Sequence, residues 1–430
     1  MFFVYSVLYA LLLPFFLPRE FIKRPPGARM KWFCQKLGHI EKGTGGKKEE
    51  AGSAPVWVHA VSVGEVMAAA PFIEALKARG VGTVLSTITE TGQRVAREKL
   101  KFPADRVIYL PFDLPFALKR AAKTVNPRAF VLVETELWPN AIRTMAGLGV
   151  PVFIVNGRLS GKSARGYRRL RFFFSRVFGL VDLICVQEDV YAQRAASMGA
   201  DMERVLVTGN FKFEMTPKGG APAWTQRLTH PAIVAGSTHA GEEVLLLTAY
   251  KKLKVKFPAL SMVLVPRHPE RVPEVEAILK REGIEYIRSS LSPAAGESSI
   301  AKDKQLPGVV VVDTVGELFN IYSKADLAVM GGSFIPHGGQ NPLEPAYWGK
   351  PVVCGPDMGN FPFMQDLLRS GGALMTDRER LYESVAGLLA DGGKRAAMGE
   401  KARQFYLDRS GAVEKTVNAI MERININTLP

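Results

Sequence analysis

Short apolar runs alternate with longer helical patterns along most of the chain, and this alternation limits the fold more than any other feature. From residue 55, the runs PVWVHAVS, VGTVLSTIT and AFVLVET are separated by segments with helical spacing, such as EVMAAAPFIEALKARG. A continuous apolar run is typical of a strand buried on both faces, and helices between such strands favour a parallel sheet. The sequence therefore predicts an α/β fold.

The alternation stops once and then starts again. Residues 214–231, EMTPKGGAPAWTQRLTHP, collect Pro and Gly without an apolar period, and strand-like runs resume with AIVAGS, SMVLVPR and GVVVVDT. A length of 430 residues also exceeds one ordinary core. We therefore predict two doubly wound, Rossmann-like domains, 50–220 and 221–400, that face each other across a cleft, followed by a C-terminal helical tail, 401–430. Ligands of such sheets bind beyond the carboxyl ends of the strands.

The amino terminus predicts a membrane anchor. Residues 1–17, MFFVYSVLYALLLPFFL, contain no charged side chain, and basic residues follow them. A spanning helix takes about 17 to 25 apolar residues, so residues 1–18 are expected either to span a bilayer or to lie in its interface. The basic residues after the apolar run place the rest of the chain in the cytoplasm by the positive-inside tendency.

The net charge of +15 indicates an anionic partner. Nine basic residues fall within 19–48, beside the predicted anchor, which favours a membrane surface. The segment 157–178, GRLSGKSARGYRRLRFFFSRVF, carries seven basic and five aromatic residues and is either an exposed amphipathic helix or a face for lipid phosphates. A nucleic-acid partner is not expected, because no recognition motif accompanies the charge. The three cysteines lack the spacing of zinc ligands and are odd in number, which argues against a disulfide framework.

Carboxylates follow two of the strand-like runs in the first half. Ser62 and Glu65 have the spacing of a capping box, yet Glu65 also suits a base that takes a proton from a hydroxyl nucleophile. Glu134 and Glu136 are two positions apart at the end of FVLV and would point the same way. The alternative for this pair is a carboxylate that caps the turn before Pro139.

Three further strand ends in the second half carry polar residues. VPRHPER places Arg267 and His268 after a strand, where an arginine suits an anion. DTVGEL places Gly316 before a helical segment, either as a site for a phosphate or as an ordinary glycine turn. GSTHAGEE forms another turn of this kind.

The richest motif is GGSFIPHGGQNPLEPA, residues 331–346. We expect Asn341 to cap a helix whose first residue is Pro342, with Glu344 completing the cap. The glycines allow the backbone to approach a ligand, and the amides at the helix start favour negative charge. The sequence lacks a P-loop and an Asp-x-Asp pair. These features predict a pocket for the nucleotide of an activated sugar.

Taken together, these motifs resemble those of the 3-deoxy-D-manno-octulosonic acid (Kdo) transferases of lipopolysaccharide assembly, which have the GT-B glycosyltransferase fold. The match covers nearly the whole chain and includes SVGE, ETELWPN, GNFKFE, STHAGEE, VPRHPER, DTVGEL and GGSFIPHGGQNPLEPA. The resemblance implies transfer of Kdo from CMP-Kdo to the lipid A precursor, lipid IVA, with inversion at the anomeric carbon. It implies an enzyme that needs no metal or cofactor and lies on the cytoplasmic side of the bacterial inner membrane.

The resemblance also implies roles for individual residues. Glu65 is expected to be the general base, and Glu134 and Lys212 are expected to stabilise the transition state. The residues expected to bind CMP are Pro266, Arg267, Gly316, Glu317, Leu318, Asn341, Pro342, Leu343 and Glu344. No role is predicted for His337.

Two other interpretations remain open at the level of sequence. One is another membrane-associated GT-B transferase that uses a UDP-sugar and a polyprenyl acceptor. The other is an anchored nucleotide-binding protein without catalytic activity.

Overall fold

The computed structural model of the protein describes residues 1–41, 54–99, 104–134, 136–159, 161, 166–167, 169–217, 219–291, 306 and 308–426. The chain divides into two compact units, Met1–Glu214 with Ser410–Pro430, and Met215–Arg409. The second unit therefore begins before residue 221 and ends after residue 400, the limits expected from the sequence. Within the basic segment 157–178, residues 160, 162–165 and 168 lie outside the described residues.

The first unit is built on a parallel sheet of seven strands within the described residues. The strands are β1 Val56–His59, β2 Thr83–Thr87, β3 Arg106–Tyr109, β4 Ala129–Val133, β5 Val152–Gly157, β6 Leu183–Val186 and β7 Val205–Val207. Their order across the sheet is β3-β2-β1-β4-β5-β6-β7. The strand order reverses between β1 and β4, which makes this the topological switch point where ligands of such sheets bind.

Helices cover both faces of this sheet. They are α1 Phe2–Ile22, α2 Pro26–Lys36, α3 Val63–Ala78, α4 Glu90–Arg94, α5 Pro115–Val125, α6 Pro139–Gly147, α7 Arg171–Phe178 and α8 Asp189–Ser197. Alternate residues of β1 point to opposite faces, so Trp57 joins one apolar cluster while Val56 and Val58 join another. This two-sided burial explains why the strand reads as a continuous apolar run.

The second unit repeats the plan with another parallel sheet of seven strands in the described part of the chain. The strands are β8 Ala232–Thr238, β9 Ser261–Pro266, β10 Tyr286–Arg288, β11 Val309–Val311, β12 Leu327–Met330, β13 Val352–Cys354 and β14 Ala373–Met375. Their order is β10-β11-β9-β8-β12-β13-β14, with the switch point between β8 and β12. The helices are α9 Glu242–Lys256, α10 Val272–Arg281, α11 Leu318–Ile321, α12 Leu343–Tyr347, α13 Met364–Arg369, α14 Leu381–Ala390 and α15 Gly392–Leu407.

The last helix, α16 Ala412–Ile426, belongs to the first unit and does not form a separate tail with the residues from 401. Its side chains Val413, Val417, Ile420 and Ile424 share one face and are at most 5 % exposed in the core that also contains residues of α3. Full burial of each such side chain stabilises a fold by about 1.5–3 kcal/mol. This apolar face explains why the chain returns to the first unit.

The N-terminal helix α1 is long and apolar enough to cross a membrane. One side of it nevertheless packs on the first unit. The Tyr5 hydroxyl donates to Asp113 Oδ2 at 2.8 Å, Asn140 Nδ2 donates to Ser6 Oγ at 2.9 Å, and the Phe2 and Phe173 rings lie 5.5 Å apart. The opposite side exposes large apolar side chains, namely Phe3, Val4, Val7, Leu8, Leu11, Leu12, Phe15 and Phe16.

Candidate functional site

Three carboxylates gather at the switch point of the first sheet. Glu65 follows β1 in the first turn of α3, and Glu134 and Glu136 follow the neighbouring strand β4. Glu134 has a positive φ of 61°, a conformation that non-glycine residues adopt at a cost and that is enriched at functional sites. The parallel pairing of β1 and β4 therefore brings together Glu65 and Glu134, which are 69 residues apart in the sequence.

Glu65 closes the capping box that its spacing predicts. The Val61 amide donates to Glu65 Oε2 at 2.6 Å, and Ser62 Oγ lies 3.2 Å from Oε1 and accepts from the Glu65 amide at 3.4 Å. Burial raises the pKa of Glu65 to about 7, and the neighbouring charges of Glu134 and Glu136 act in the same direction. A carboxylate that titrates near neutrality is suited to accept a proton from a hydroxyl.

Burial also raises the pKa of Glu134, but the charges of Lys212 and Arg158 oppose this rise. Lys212 lies on a 3₁₀ turn, Phe211–Phe213, whose backbone is fixed by side chains from two strand ends. Asn156 Oδ1 accepts from the Phe211 amide at 3.0 Å, and Asn210 Oδ1 accepts from the Lys212 amide at 2.9 Å. The exposed ammonium of Lys212 therefore extends from a rigid turn and balances the charge of Glu134.

A pocket of about 300 Å³ lies at the switch point of the second sheet. It is lined by Ser237, Arg267, Leu318, Tyr322, Met330, Gln340, Asn341 and Glu344. Ser237 is the last but one residue of β8 and Met330 is the last residue of β12, the two strands that flank the switch point. The volume is at the lower end of the range for small-molecule sites.

The pocket combines a cation with a carboxyl of raised pKa. Burial raises the pKa of Glu344 to about 7, while a hydrogen bond from Asn341 and the charge of Arg267 act against this rise. Asn341 Oδ1 also accepts from the Leu343 amide at 3.2 Å. The predicted cap was wrong in its position: α12 begins at Leu343, so Pro342 is the N-cap and has no side chain that could accept, and Asn341 bonds to the Leu343 amide from one residue earlier.

Tyr322 is a pocket residue that the sequence did not single out. Its ring is fully buried, and its hydroxyl has no hydrogen-bond partner among the described residues. A Cβ at Gly236 would lie 1.8 Å from this hydroxyl, so the glycine in β8 leaves the space that the phenol occupies. An unpaired buried hydroxyl costs free energy unless a ligand supplies a partner.

The glycine-rich turn after β12 is held by one buried carboxylate. Glu242 is fully buried and accepts four backbone amides: Gly332 at 2.7 Å, His239 and Phe334 at 3.0 Å, and Ser333 at 3.1 Å. The adjacent Glu243 forms a two-point ion pair with Arg271, with oxygen–nitrogen distances of 2.7 and 3.3 Å. These carboxylates give the motif STHAGEE a structural explanation that its sequence did not reveal.

The nine residues predicted to bind CMP fall into two groups. Arg267, Leu318, Asn341 and Glu344 line the pocket. The others flank the lining residues in sequence: Pro266, Gly316, Glu317, Pro342 and Leu343. His337, to which no role was assigned, packs on His239 with ring centroids 3.9 Å apart. No cluster of three or more metal-ligating side chains occurs within the described ranges.

Comparison with known proteins places the chain in a family. The family model described as 3-deoxy-D-manno-octulosonic-acid transferase (kdotransferase) matches residues 31–215. A 3-deoxy-D-manno-octulosonic acid transferase of Bordetella pertussis is 34% identical over 86% of this chain and 87% of its own length. One of Haemophilus influenzae is 32% identical over 86% of this chain and 88% of its own length.

A solved structure, a putative UDP-N-acetylglucosamine 2-epimerase from Listeria monocytogenes, aligns with a TM-score of 0.56 at 14% identity. It covers 87% of this chain and 97% of that chain, and the likeness concerns the fold alone. The predicted GT-B fold, with two Rossmann-like units, is confirmed. On its sequence and its fold, this chain belongs to the family of 3-deoxy-D-manno-octulosonic acid transferases.

Proposed function

We propose that this chain transfers Kdo from CMP-Kdo to lipid IVA, the lipid A precursor, with inversion at the anomeric carbon. The observation that carries the proposal is the state of Glu65, a carboxyl at a sheet switch point whose pKa is raised to about 7 by burial and by two neighbouring carboxylates. Membership of a family of Kdo transferases supports the donor sugar.

In this mechanism Glu65 takes the proton of the acceptor hydroxyl while the hydroxyl oxygen attacks the anomeric carbon of Kdo. The bond between that carbon and the phosphate oxygen of CMP breaks, and its electron pair leaves with the phosphate. Attack from the face opposite the leaving group inverts the configuration. Glu134 and Lys212 stabilise the transition state through their charges.

The second unit binds the CMP moiety. Arg267 supplies a cation for the phosphate, and Asn341 and Glu344 supply hydrogen-bonding groups for the nucleoside. The Tyr322 hydroxyl, unpaired among the described residues, gains a partner when the pocket is filled. The remaining CMP-binding positions are Pro266, Gly316, Glu317, Leu318, Pro342 and Leu343. Side chains and backbone amides stabilise the leaving group in this scheme, so transfer is expected to be independent of metal.

The acceptor is a membrane lipid, which agrees with the exposed apolar side of α1. We place the protein at the cytoplasmic face of the inner membrane, with the basic residues after α1 next to the anionic headgroups.

Mass spectrometry of lipid IVA after incubation with CMP-Kdo and the full-length protein tests this proposal. The expected product carries one or more added Kdo units, and its mass gives their number. CMP is expected to bind the protein more tightly than UDP in a calorimetric titration. Absence of product, with UDP bound as tightly as CMP, would contradict the assigned donor.

A further inference from the structure

A second cavity, in the first unit, is an apolar groove between α1 and the carboxyl edge of the sheet. Its volume is about 300 Å³. One wall is a stripe of α1 that runs from Tyr9 to Glu20 through Leu13 and Leu17, and Arg24 continues it just beyond the end of the helix. The rise of 1.5 Å per residue makes the helical stripe about 17 Å long. The other wall consists of Trp32, Ile88, Pro111, Phe112 and Trp138.

Three residues that line the groove carry a buried hydrogen-bond donor without an acceptor, while another nitrogen of Arg24, Nη1, pairs with Glu20 Oε2 at 2.7 Å. Arg24 Nε, Trp32 Nε1 and Trp138 Nε1 are buried and have no hydrogen-bond partner among the described residues. Lys36 is 5 % exposed, and its ammonium donates to the Leu110 carbonyl at 2.8 Å and makes no other hydrogen bond in the described part of the chain. An unsatisfied buried donor is costly, so this site favours a ligand that supplies oxygen acceptors. The apolar walls require that most of the ligand be hydrocarbon.

The groove opens toward the exposed side of α1. Leu12 and Phe16 line the groove, and yet they are 54 % and 62 % exposed. They join the groove to the exposed apolar stripe of α1, which is the part of the unit suited to a bilayer. A hydrocarbon chain can therefore pass from a membrane into the groove without crossing water. This continuity favours a membrane lipid over a soluble fatty acid.

The inner wall of the groove lies beside the backbone that holds Glu65. Arg24 Nη2 donates to the Ile88 carbonyl at 3.3 Å, and the Ile88 amide donates to the Val61 carbonyl at 3.4 Å. The Val61 amide in turn donates to Glu65 at 2.6 Å. On the same edge of the sheet, Trp138 lies two residues after Glu136. A lipid seated in the groove thus places its polar end close to these carboxylates.

We propose that the groove binds one acyl chain of the glycolipid acceptor, with the ester or amide carbonyl of that chain accepting from the donors of Arg24 and Trp138. The proposal rests on the proposed function, because it takes the ligand of the groove to be the lipid acceptor and Glu65 to be the general base. It makes the acyl chain, in addition to the sugar, a determinant of acceptor choice.

A pair of matched double substitutions tests the groove. Leu13→Phe with Leu17→Phe narrows it, whereas Leu8→Phe with Leu11→Phe makes the same chemical change on the exposed side of α1. Initial rates are measured with the full-length proteins in mixed micelles, using the acylated acceptor and the same acceptor after chemical removal of its acyl chains.

For the groove variant we expect KM for the acylated acceptor to rise at least tenfold, while kcat/KM for the deacylated acceptor stays within twofold of wild type. The control variant should match wild type with both acceptors. A groove variant that handles both acceptors like wild type overturns the inference. Binding of the groove variant to phospholipid vesicles is measured separately. If the groove variant loses this binding while its preference between the two acceptors stays unchanged, the inference is also overturned, because the groove would then serve only as an anchor.

A binding measurement keeps the test independent of turnover. Trp32 and Trp138 lie in the groove, and the four substitutions leave the number of tryptophans unchanged. We expect the acceptor with brominated acyl chains to quench tryptophan fluorescence in wild type and control but much less in the groove variant. Equal quenching by brominated phospholipid, in the absence of acceptor, overturns the assignment to the acceptor. Quenching by the acceptor without product from either acceptor supports the groove and contradicts the proposed transfer.

Discussion

Substitution of Glu65 by Gln separates two roles that one side chain has in this structure. Glu65 closes the capping box of α3, and it is the proposed general base. A capping box accepts Gln as well as Glu, because the amide oxygen still receives the backbone donor at Val61. An amide cannot take the proton of an acceptor hydroxyl. The substitution therefore preserves the cap and removes the base.

The expected effects differ greatly in size. Loss of the charge at the start of α3 costs about 0.3–1 kcal/mol, and relief of the repulsion from Glu134 and Glu136 offsets part of this. Removal of a general base typically lowers the rate about 10²- to 10⁴-fold. That range corresponds to about 2.7–5.4 kcal/mol in the activation barrier. Turnover should therefore fall far more than stability.

Ser62→Ala supplies the opposite pattern. It deletes the hydroxyl that accepts from the Glu65 amide, which costs about 1 kcal/mol of stability, and it leaves the carboxylate in place. We expect less than a tenfold change in its rate. Urea unfolding measures the stability of both variants, and mass spectrometry of the product measures the rates. CMP affinity should be unchanged in both, because the proposed CMP pocket lies in the other unit.

The pH dependence gives an independent check on Glu65. The base is active when deprotonated, so kcat/KM should rise about tenfold per pH unit below its pKa of about 7 and level off above it. In the Gln variant this ascending limb should disappear. If Glu65→Gln keeps more than a tenth of the wild-type rate, or if the limb near pH 7 survives the substitution, the assignment of the base is wrong.

Three further predictions concern groups that the structure buries. Glu242→Gln removes acceptors from the four-amide site and should lower the free energy of unfolding by about 3 kcal/mol or more in urea, whereas the exposed control Glu274→Gln should change it by less than about 0.5 kcal/mol. Tyr322→Phe should not lower stability, because the hydroxyl is unpaired among the described residues, but should weaken CMP binding about fivefold in calorimetry. Burial raises the pKa of Asp113 from 3.8 to about 6, so the folded state favours the protonated acid. The contribution of this group to stability is therefore lost as pH rises from about 4 to 6, by up to about 3 kcal/mol, and the difference in unfolding free energy between pH 5 and pH 7 should shrink in Asp113→Asn.

The sequence predicted the fold well because the strands in the middle of each sheet are continuous apolar runs. It missed β7 and β14, each of which has three residues and lies at a sheet edge. In β7, Leu206 and Val207 are each 40 % exposed, so this strand lacks the two-sided burial of the strands in the middle of the sheet. Edge strands depend on pairing with a neighbour, which a single sequence does not show.

Proximity within the nucleotide pocket was predictable from the rule that ligands bind where parallel strands end. Arg267 and Asn341 are examples, since both follow strands. Tyr322 was not predictable, because in the run LFNIY it reads as one more apolar position of a helix. Its significance lies in a long-range fit, namely the space that Gly236 leaves for its hydroxyl.

The packing of α1 on the first unit was also missed, although the sequence contained a signal for it. Tyr5, Ser6 and Tyr9 occupy one side of a helix whose other residues up to 17 are apolar or proline. Two of these side chains bond to the unit, through Asp113 and Asn140. A helix surrounded by lipid on all sides has no need for such a polar side.

Glu65 and Glu242 show why a carboxylate in one place can act as a base while a similar one cannot. Each lies in the first turn of a helix that follows a switch-point strand, β1 or β8. An ionised carboxylate has about four lone-pair sites. In Glu242 four backbone amides occupy them all. In Glu65 the Val61 amide and the Ser62 hydroxyl occupy two, which leaves acceptor positions for the proton of an incoming hydroxyl. A capping role and a catalytic role are therefore compatible in Glu65, because the cap uses only part of what the carboxylate offers.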